Sequence, residues 1–317
     1  MKNILDLCRK TGLSDPEIIN LKGDYSRREI YRVKHKDGSV IAVYGPDISE
    51  NEAFLSFRKT FEQNGFKVPE FISVSDDRRT YLLSDLGDVT AKSYCDEMVR
   101  SGNLEAVKEI YAKIIEKLPV IQTKLYDKID YSKCYQGSVF SKEYMEKDIE
   151  RFEEFFLKRF HKNYDPVKFR MFINQIVSST DLYEKKYFMF RDFQTRNIML
   201  KDGELYFIDF QSGRKGSFYY DLASFIYSSG TVKYEGMEDD ISRTYFNSAR
   251  HVDSDIDSFK SGIDLFACLR VMQAVGNYAY YYYERKDSSI NSKKEYGLKT
   301  IMSLSRRLNL EHGIYEG

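Results

Sequence analysis

The chain has 317 residues, 42% of them apolar and 15% aromatic, with 49 basic and 49 acidic side chains. That apolar share excludes a disordered segment, and the neutral balance supplies no field toward a nucleic-acid backbone or an acidic membrane surface. No membrane-length apolar run and no secretory leader occur, and Cys8, Cys95, Cys134 and Cys268 are too scattered for a zinc site or disulfide framework, so a cytoplasmic globular protein is expected.

In chain order, EIYRVKHKDGSVIAVYG (29–45) holds two β-branched and aromatic runs joined by Lys-Asp-Gly and predicts a hairpin. SENEAFLSFRKTFEQNG (49–65) predicts a helix capped by Ser49 with Glu52 three residues on; Phe54, Phe57 and Phe61 share one face, and Gly65 stops it. Two short strands follow, ending near Asp85. From Thr90 the period becomes helical: Leu104, Val107, Tyr111, Ile114, Leu118 and Ile121 mark one helix, Met145, Ile149, Phe152 and Phe156 another. The order predicts a small mixed lobe (1–88), a connector around Ser84 to Thr90, and a larger, mostly helical lobe (89–317).

Within that second part lies FRDFQTRNIMLKDGELYFIDFQ (190–211). Asp192 and Asn197 have the spacing D-x-x-x-x-N, which chance alone supplies about once in a chain of this size. The context says more. Asn197 leads into Ile198-Met199-Leu200, a Lys-Asp-Gly-Glu turn reverses the chain, and Asp209 ends the returning strand. Such a hairpin brings Asn197 and Asp209 to one end, beside the loop that holds Asp192. Phosphoryl transfer uses that set: a carboxylate to orient the attacking hydroxyl, and a carboxylate with an amide oxygen to hold Mg²⁺ against the nucleotide phosphates.

FRDFQTRN followed by IDF resembles the catalytic loop and metal-binding segment of the protein-kinase-like fold. YYDLASFIYS (219–228) resembles the aminoglycoside phosphotransferase and choline kinase branch of that fold. Together with LKGDYSRREIYRV, NGFKVPEF, YLLSDLGD and LRVMQAVGNYA, nearly the whole chain is similar to the bacterial sugar kinases that phosphorylate N-acetylmuramate or N-acetylglucosamine at the anomeric carbon. The resemblance implies an α+β bilobal fold, with an antiparallel-sheet lobe carrying one main helix and a larger helical lobe. It also implies ATP and Mg²⁺ as cofactors and a small-molecule acceptor as the partner, with no nucleic acid or membrane involved. By the same resemblance Asp192 is the catalytic base, Asn197 and Asp209 are the metal ligands, and Asp221 and Arg191 support the catalytic loop. A helix N-cap is the plainer reading of Asp221. Aminoglycoside or choline kinases, and a catalytically silent nucleotide-binding module, are the competing functions.

The pattern departs from protein kinases in four places. Tyr44 stands where the strand lysine is expected, leaving Arg27, Arg28, Arg32 and Lys34 as candidate phosphate cations; strand alternation favours Arg32 or Lys34. The phosphate loop keeps only Gly23, with Ser26 as a possible hydroxyl donor. Phe190 replaces a loop-bracing histidine, so packing must hold the loop. Glu52 matches the helix glutamate of kinases, but without a lysine it reads as a surface carboxylate. By fold analogy adenine sits near Leu83, Ser84 and Asp85. On the acceptor side, the tyrosines of VGNYAYYYYERKD (275–287) read as core aromatics or as a sugar-stacking surface, and Asp148 or Asp181 as partners of an amino group.

Overall fold

The computed structural model describes residues 2–21, 27–249, 252 and 255–315. Helix α1 (Lys2–Lys10) precedes strands β1 (Glu17–Leu21), β2 (Glu29–His35) and β3 (Gly38–Tyr44); α2 (Ile48–Gln63), β4 (Phe71–Val74) and β5 (Thr80–Ser84) follow. All pairs in this sheet are antiparallel, in the order β1-β2-β3-β5-β4. The expected hairpin is β2–β3, with Glu29 opposite Tyr44 and His35 opposite Gly38. Alternation sends its side chains two ways: Val33, Val40 and Ala42 pack with Leu82 against Ile4, Leu7 and Cys8 of α1, whereas Val43, Tyr81 and Leu83 join the main core.

Helix α2 begins at Ile48, two residues earlier than a Ser49 cap would start it, because Asp47 supplies the cap. Its carboxylate accepts the N–H groups of Ser49 at 2.9 Å and Glu50 at 3.3 Å, and a full negative charge suits the positive end of the helix better than a hydroxyl. Gly65 stops the helix at φ +83°, as expected. Phe54 and Phe61 stack on Phe210 at 5.1 and 4.6 Å between centroids, and Phe57 and Phe61 meet Phe188 edge-on. Burying each ring contributes on the order of 2 kcal/mol, so this seam fixes the sheet lobe against the segment around Asp209.

The larger lobe contains α3 (Ala91–Arg100), α4 (Leu104–Tyr126), α5 (Lys142–Arg151), which continues as a π-helix (Phe152–His161), α6 (Pro166–Asp181), α7 (Phe218–Tyr227), α8 (Met237–Ser248), α9 (Ile256–Arg285) and α10 (Ile290–Arg307). The α4 stripe from Val107 to Ile121 is buried as its period predicts, but Leu104, in the first turn, stays exposed. Two small sheets interrupt the helices: β6 (Tyr187–Met189) pairs with β9 (Arg214–Gly216), and β7 (Ile198–Lys201) with β8 (Glu204–Phe207). The link after Asp209 is therefore taken up by a paired strand. Helix α9, 30 residues long, packs against α7, α10, α5 and the π-helix.

Candidate active site

Asp202 at φ +52° and Gly203 at φ +76° turn the β7–β8 hairpin through two left-handed residues, the geometry that matches the twist of the flanking strands. At its open end Ile208 N–H donates to the Asn197 carbonyl at 3.0 Å, which sets Asp209 next to Asn197. Both outer edges are tied down: Leu200 N–H donates to Val89 O at 2.8 Å, and Phe207 N–H to Lys67 O at 3.0 Å. The hairpin is thus fixed to the lobe connector and to the sheet lobe.

Asp192, Asn197 and Asp209 converge there. Asn197 Nδ2 donates to the Asp192 carbonyl at 2.9 Å and lies 3.5 Å from Asp209 Oδ2. Among the described residues nothing donates to Asn197 Oδ1, so the amide nitrogen holds the loop while its oxygen stays available. An amide oxygen beside a carboxylate is a donor set that Mg²⁺ accepts, with phosphates and water completing its shell. Asp192 Oδ1 accepts from Gln194 Nε2 at 3.2 Å and Arg270 Nη2 at 3.3 Å. Phe190, 3% exposed, packs among Phe61, Phe188 and Phe193 in place of a bracing histidine.

Arg191 (φ +74°) and Asp209 (φ +60°) both adopt left-handed backbone, at a cost of about 1 kcal/mol or more each for a residue with a Cβ. Asp221 holds the first of these. Its carboxylate accepts the N–H groups of Phe190 and Arg191, each at 2.9 Å, and Gln122 Nε2 at 3.0 Å. It lies inside α7, whose N-cap is Ser217, so it is not a cap. Complete burial pushes its pKa up to about 7, against these donors, which favour the charge. The Arg191 guanidinium forks onto Asp148 at 2.9 and 3.1 Å, so Asp148 is already engaged, and Asp181 pairs with Lys185 on the surface.

The cleft face of β3 is formed by Ile41 and Val43, while Ala42 faces α1. Val43, not Tyr44, therefore occupies the lysine position. Its cross-strand neighbour is Ile30, and the residue two before that, Arg28, pairs with Asp209 and lies 3.4 Å from Glu50. Burial works to lower the Arg28 pKa, yet Asp209, Tyr81 and Glu50 hold it above the ordinary arginine value. Burial likewise works to raise Asp209, and Arg28 and Gln211 bring it below the usual carboxylate value.

Arg32 goes elsewhere: it forks onto Asp85 at 2.6 and 3.0 Å and reaches Asp88 at 2.8 Å. Lys34 lies near Glu17 at the surface, and Glu52 pairs with Arg78, so the α2 carboxylate in the cleft is Glu50. Gly23 and Ser26 lie outside the described residues. Leu83, Ser84 and Asp85 line the cleft, with the Asp85 carbonyl accepting Lys201 Nζ at 3.0 Å.

The cleft, about 1310 Å³, runs from the sheet to the far end of α9. Arg270, Gln273, Asn277, Tyr278, Tyr281 and Arg285 of α9 line it; the tyrosines are partly buried, and Tyr278 also packs on the main core. Glu50, Arg151, Arg270 and Asn277 escaped the sequence reading. Only the segment LRVMQAVGNYA, which holds Arg270 and Asn277, carried a signal for two of them.

A profile of the Ecdysteroid kinase-like family matches residues 69–254. The chain belongs to this family. Membership makes it an ATP-dependent phosphotransferase with an alcohol group as acceptor. Family likeness extends to an N-acetylmuramate/N-acetylglucosamine kinase of Neisseria meningitidis serogroup B, 24% identical over 296 residues, covering 90% of this chain and 84% of the relative. The fold is that of choline kinase LicA from Streptococcus pneumoniae (TM-score 0.63, 13% identity, 98% of this chain and 99% of that one). An ADP-bound aminoglycoside phosphotransferase shares it too (TM-score 0.61, 14% identity, 96% and 97%). The bilobal protein-kinase-like fold expected from the sequence is therefore the fold of this family member. Among the described residues no helix is long and apolar enough to cross a membrane.

Proposed function

We propose that this enzyme transfers the γ-phosphoryl group of ATP to a hydroxyl of an N-acetylated amino sugar such as N-acetylmuramate or N-acetylglucosamine, in the cytoplasm. The convergence of Asp192, Asn197 and Asp209 at one end of the hairpin carries the reading. Residues 1–88 bind the nucleotide; residues 89–317 supply the chemistry and the acceptor site. The adenine ring occupies the apolar slot between Ile41 and Leu83 above and Met199 and Ile208 below.

Asn197 Oδ1 and Asp209 would hold Mg²⁺, which offsets phosphate charge when bound. Arg28, immediately ahead of the adjacent strand β2, replaces the strand lysine: Glu50 anchors it, and on leaving Asp209 its guanidinium would turn to the phosphates. Gln194 and Arg270 hold Oδ1 of Asp192, which aims the remaining oxygen at the acceptor hydroxyl and its proton. Asp221 and Arg191 keep that loop in place. Phosphate-transfer assays against amino sugars, aminoglycosides and amino alcohols test the reading. We expect turnover with an amino sugar and a loss of about 10²-fold or more in kcat for Asp192→Asn with nucleotide affinity kept. Turnover of kanamycin-like compounds alone would overturn the acceptor.

A further inference from the structure

Beyond the reacting groups, the acceptor wall is cationic. It consists of α9 and the junction of α5 with the π-helix, and it presents Arg151, Arg270 and Arg285 to the cleft. The carboxylates lining the same cleft are placed elsewhere: Asp47, Glu50, Asp85 and Asp88 on the sheet lobe and connector, Asp192 and Asp209 at the reacting end. A tyrosine stripe of this kind suits a quaternary ammonium or a polyamine when its ring faces are open. Here the protein's own cations cover them. Arg151 lies 5.0 Å over Tyr280, Arg285 4.7 Å over Tyr281 and Lys293 3.9 Å over Tyr278.

Arg151 is built into place. The close approach of α9 at Gly276 sets its helix against the α5 junction: a Cβ at Gly276 would stand 2.8 Å from Phe152 N and 3.2 Å from the Arg151 carbonyl carbon. One residue on, Asn277 Oδ1 accepts from Arg151 Nη1 at 2.7 Å. The Tyr280 ring flanks the guanidinium, and no described carboxylate lies within ion-pair distance of it. Oriented by an amide and a ring, the guanidinium keeps donors for a planar anion. Asn277 is seven residues, or about 10 Å, along α9 from Arg270, which touches Asp192. A hexopyranose bearing an ether-linked carboxylate covers that span.

Resting on the amino-sugar reading, we infer that Arg151, held by Asn277 and Tyr280, is an anion-recognition subsite that selects acceptors carrying a carboxylate or phosphate over neutral and cationic ones. The test compares N-acetylmuramate, N-acetylglucosamine, N-acetylglucosamine 6-phosphate and glucosamine as acceptors for the full chain and for Arg151→Ala, an exposed position whose loss leaves the core intact. The wild type should favour one anionic sugar over the neutral one by about 10-fold or more in kcat/KM, and Arg151→Ala should erase that preference by raising KM for the anionic sugar alone. Which anionic sugar wins distinguishes carboxylate from phosphate.

Equal use of the neutral sugar by the wild type, a preference for glucosamine, or a preference that survives Arg151→Ala would overturn the inference. Should no amino sugar be turned over, thermal shift with N-acetylmuramate separates the two claims. Stabilisation of the wild type but not of Arg151→Ala keeps the subsite and sinks the sugar-kinase reading; no stabilisation of either sinks both.

Discussion

Arg28 and Asp209 stand 181 positions apart in the chain and form an ion pair at the floor of the cleft, with Glu50 3.4 Å from Nε of the same guanidinium. In the proposed function Arg28 is the cation that stands in for the one β3 lacks. Arg28→Ala should weaken nucleotide binding by about 10- to 100-fold, read by titration calorimetry. The double variant Arg28→Ala/Val43→Lys, which returns a cation to the strand position facing the cleft, should recover part of that loss. Unchanged affinity in Arg28→Ala would remove Arg28 from the phosphate site.

Complete burial in α7 lifts the Asp221 carboxyl well above its ordinary value. Its folded pKa of about 7 lies above the ordinary 3.8, so between those values the unfolded chain has released a proton that the folded chain keeps. The group's contribution is complete below about pH 4 and falls as pH rises to 7, by an amount on the order of 4 kcal/mol. Asp221→Asn removes this slope and also turns an amide N–H₂ toward one of the two backbone donors, Phe190 N–H or Arg191 N–H. Chemical denaturation across pH 4 to 7 should find the wild type's advantage over Asp221→Asn largest at the acid end. An advantage constant with pH would refute the titration.

Asp148 neutralises Arg191 where both are mostly buried, with side chains 14% and 12% exposed. Asp148→Ala leaves that guanidinium without its carboxylate and should cost about 3 kcal/mol in stability. Because Arg191 sits on left-handed backbone one residue before Asp192, kcat should fall as well while KM for the acceptor holds. A rise in acceptor KM alone would return Asp148 to the role of an acceptor ligand.

Gly276→Ala places a methyl against the backbone at Phe152, where a flexible side chain is not available to yield. The expected cost is about 1–3 kcal/mol, seen as a lower melting temperature, with acceptor affinity falling as Arg151 moves out of register with Asn277. An unchanged melting temperature would show that the two helices separate freely there.

The strand, turn and helix periods that predict the sheet, α2, α4 and the β7–β8 hairpin are local, and so is the turn chemistry that brings Asn197 beside Asp209; the chain order alone determined these. Short-range patterns also named Asp192, while only the family resemblance placed Asp221 near the loop. What the tertiary structure decided is which charge meets which. Arg28 rather than Arg32 faces Asp209, because the strand alternation that favours Arg32 or Lys34 says nothing of Asp85, 53 positions from Arg32, which captures it. Glu50 rather than Glu52 enters the cleft because Asp47 starts the helix and so sets its rotation. Asp148 serves Arg191, and the partly buried Tyr278, Tyr280 and Tyr281 of α9 line the cleft under the protein's own cations, on the side of α9 that the packing at Gly276 leaves open. Partners in such pairs lie tens to hundreds of residues apart, and Coulomb attraction and packing choose among chemically equal side chains only after the backbone has brought them within a few ångströms.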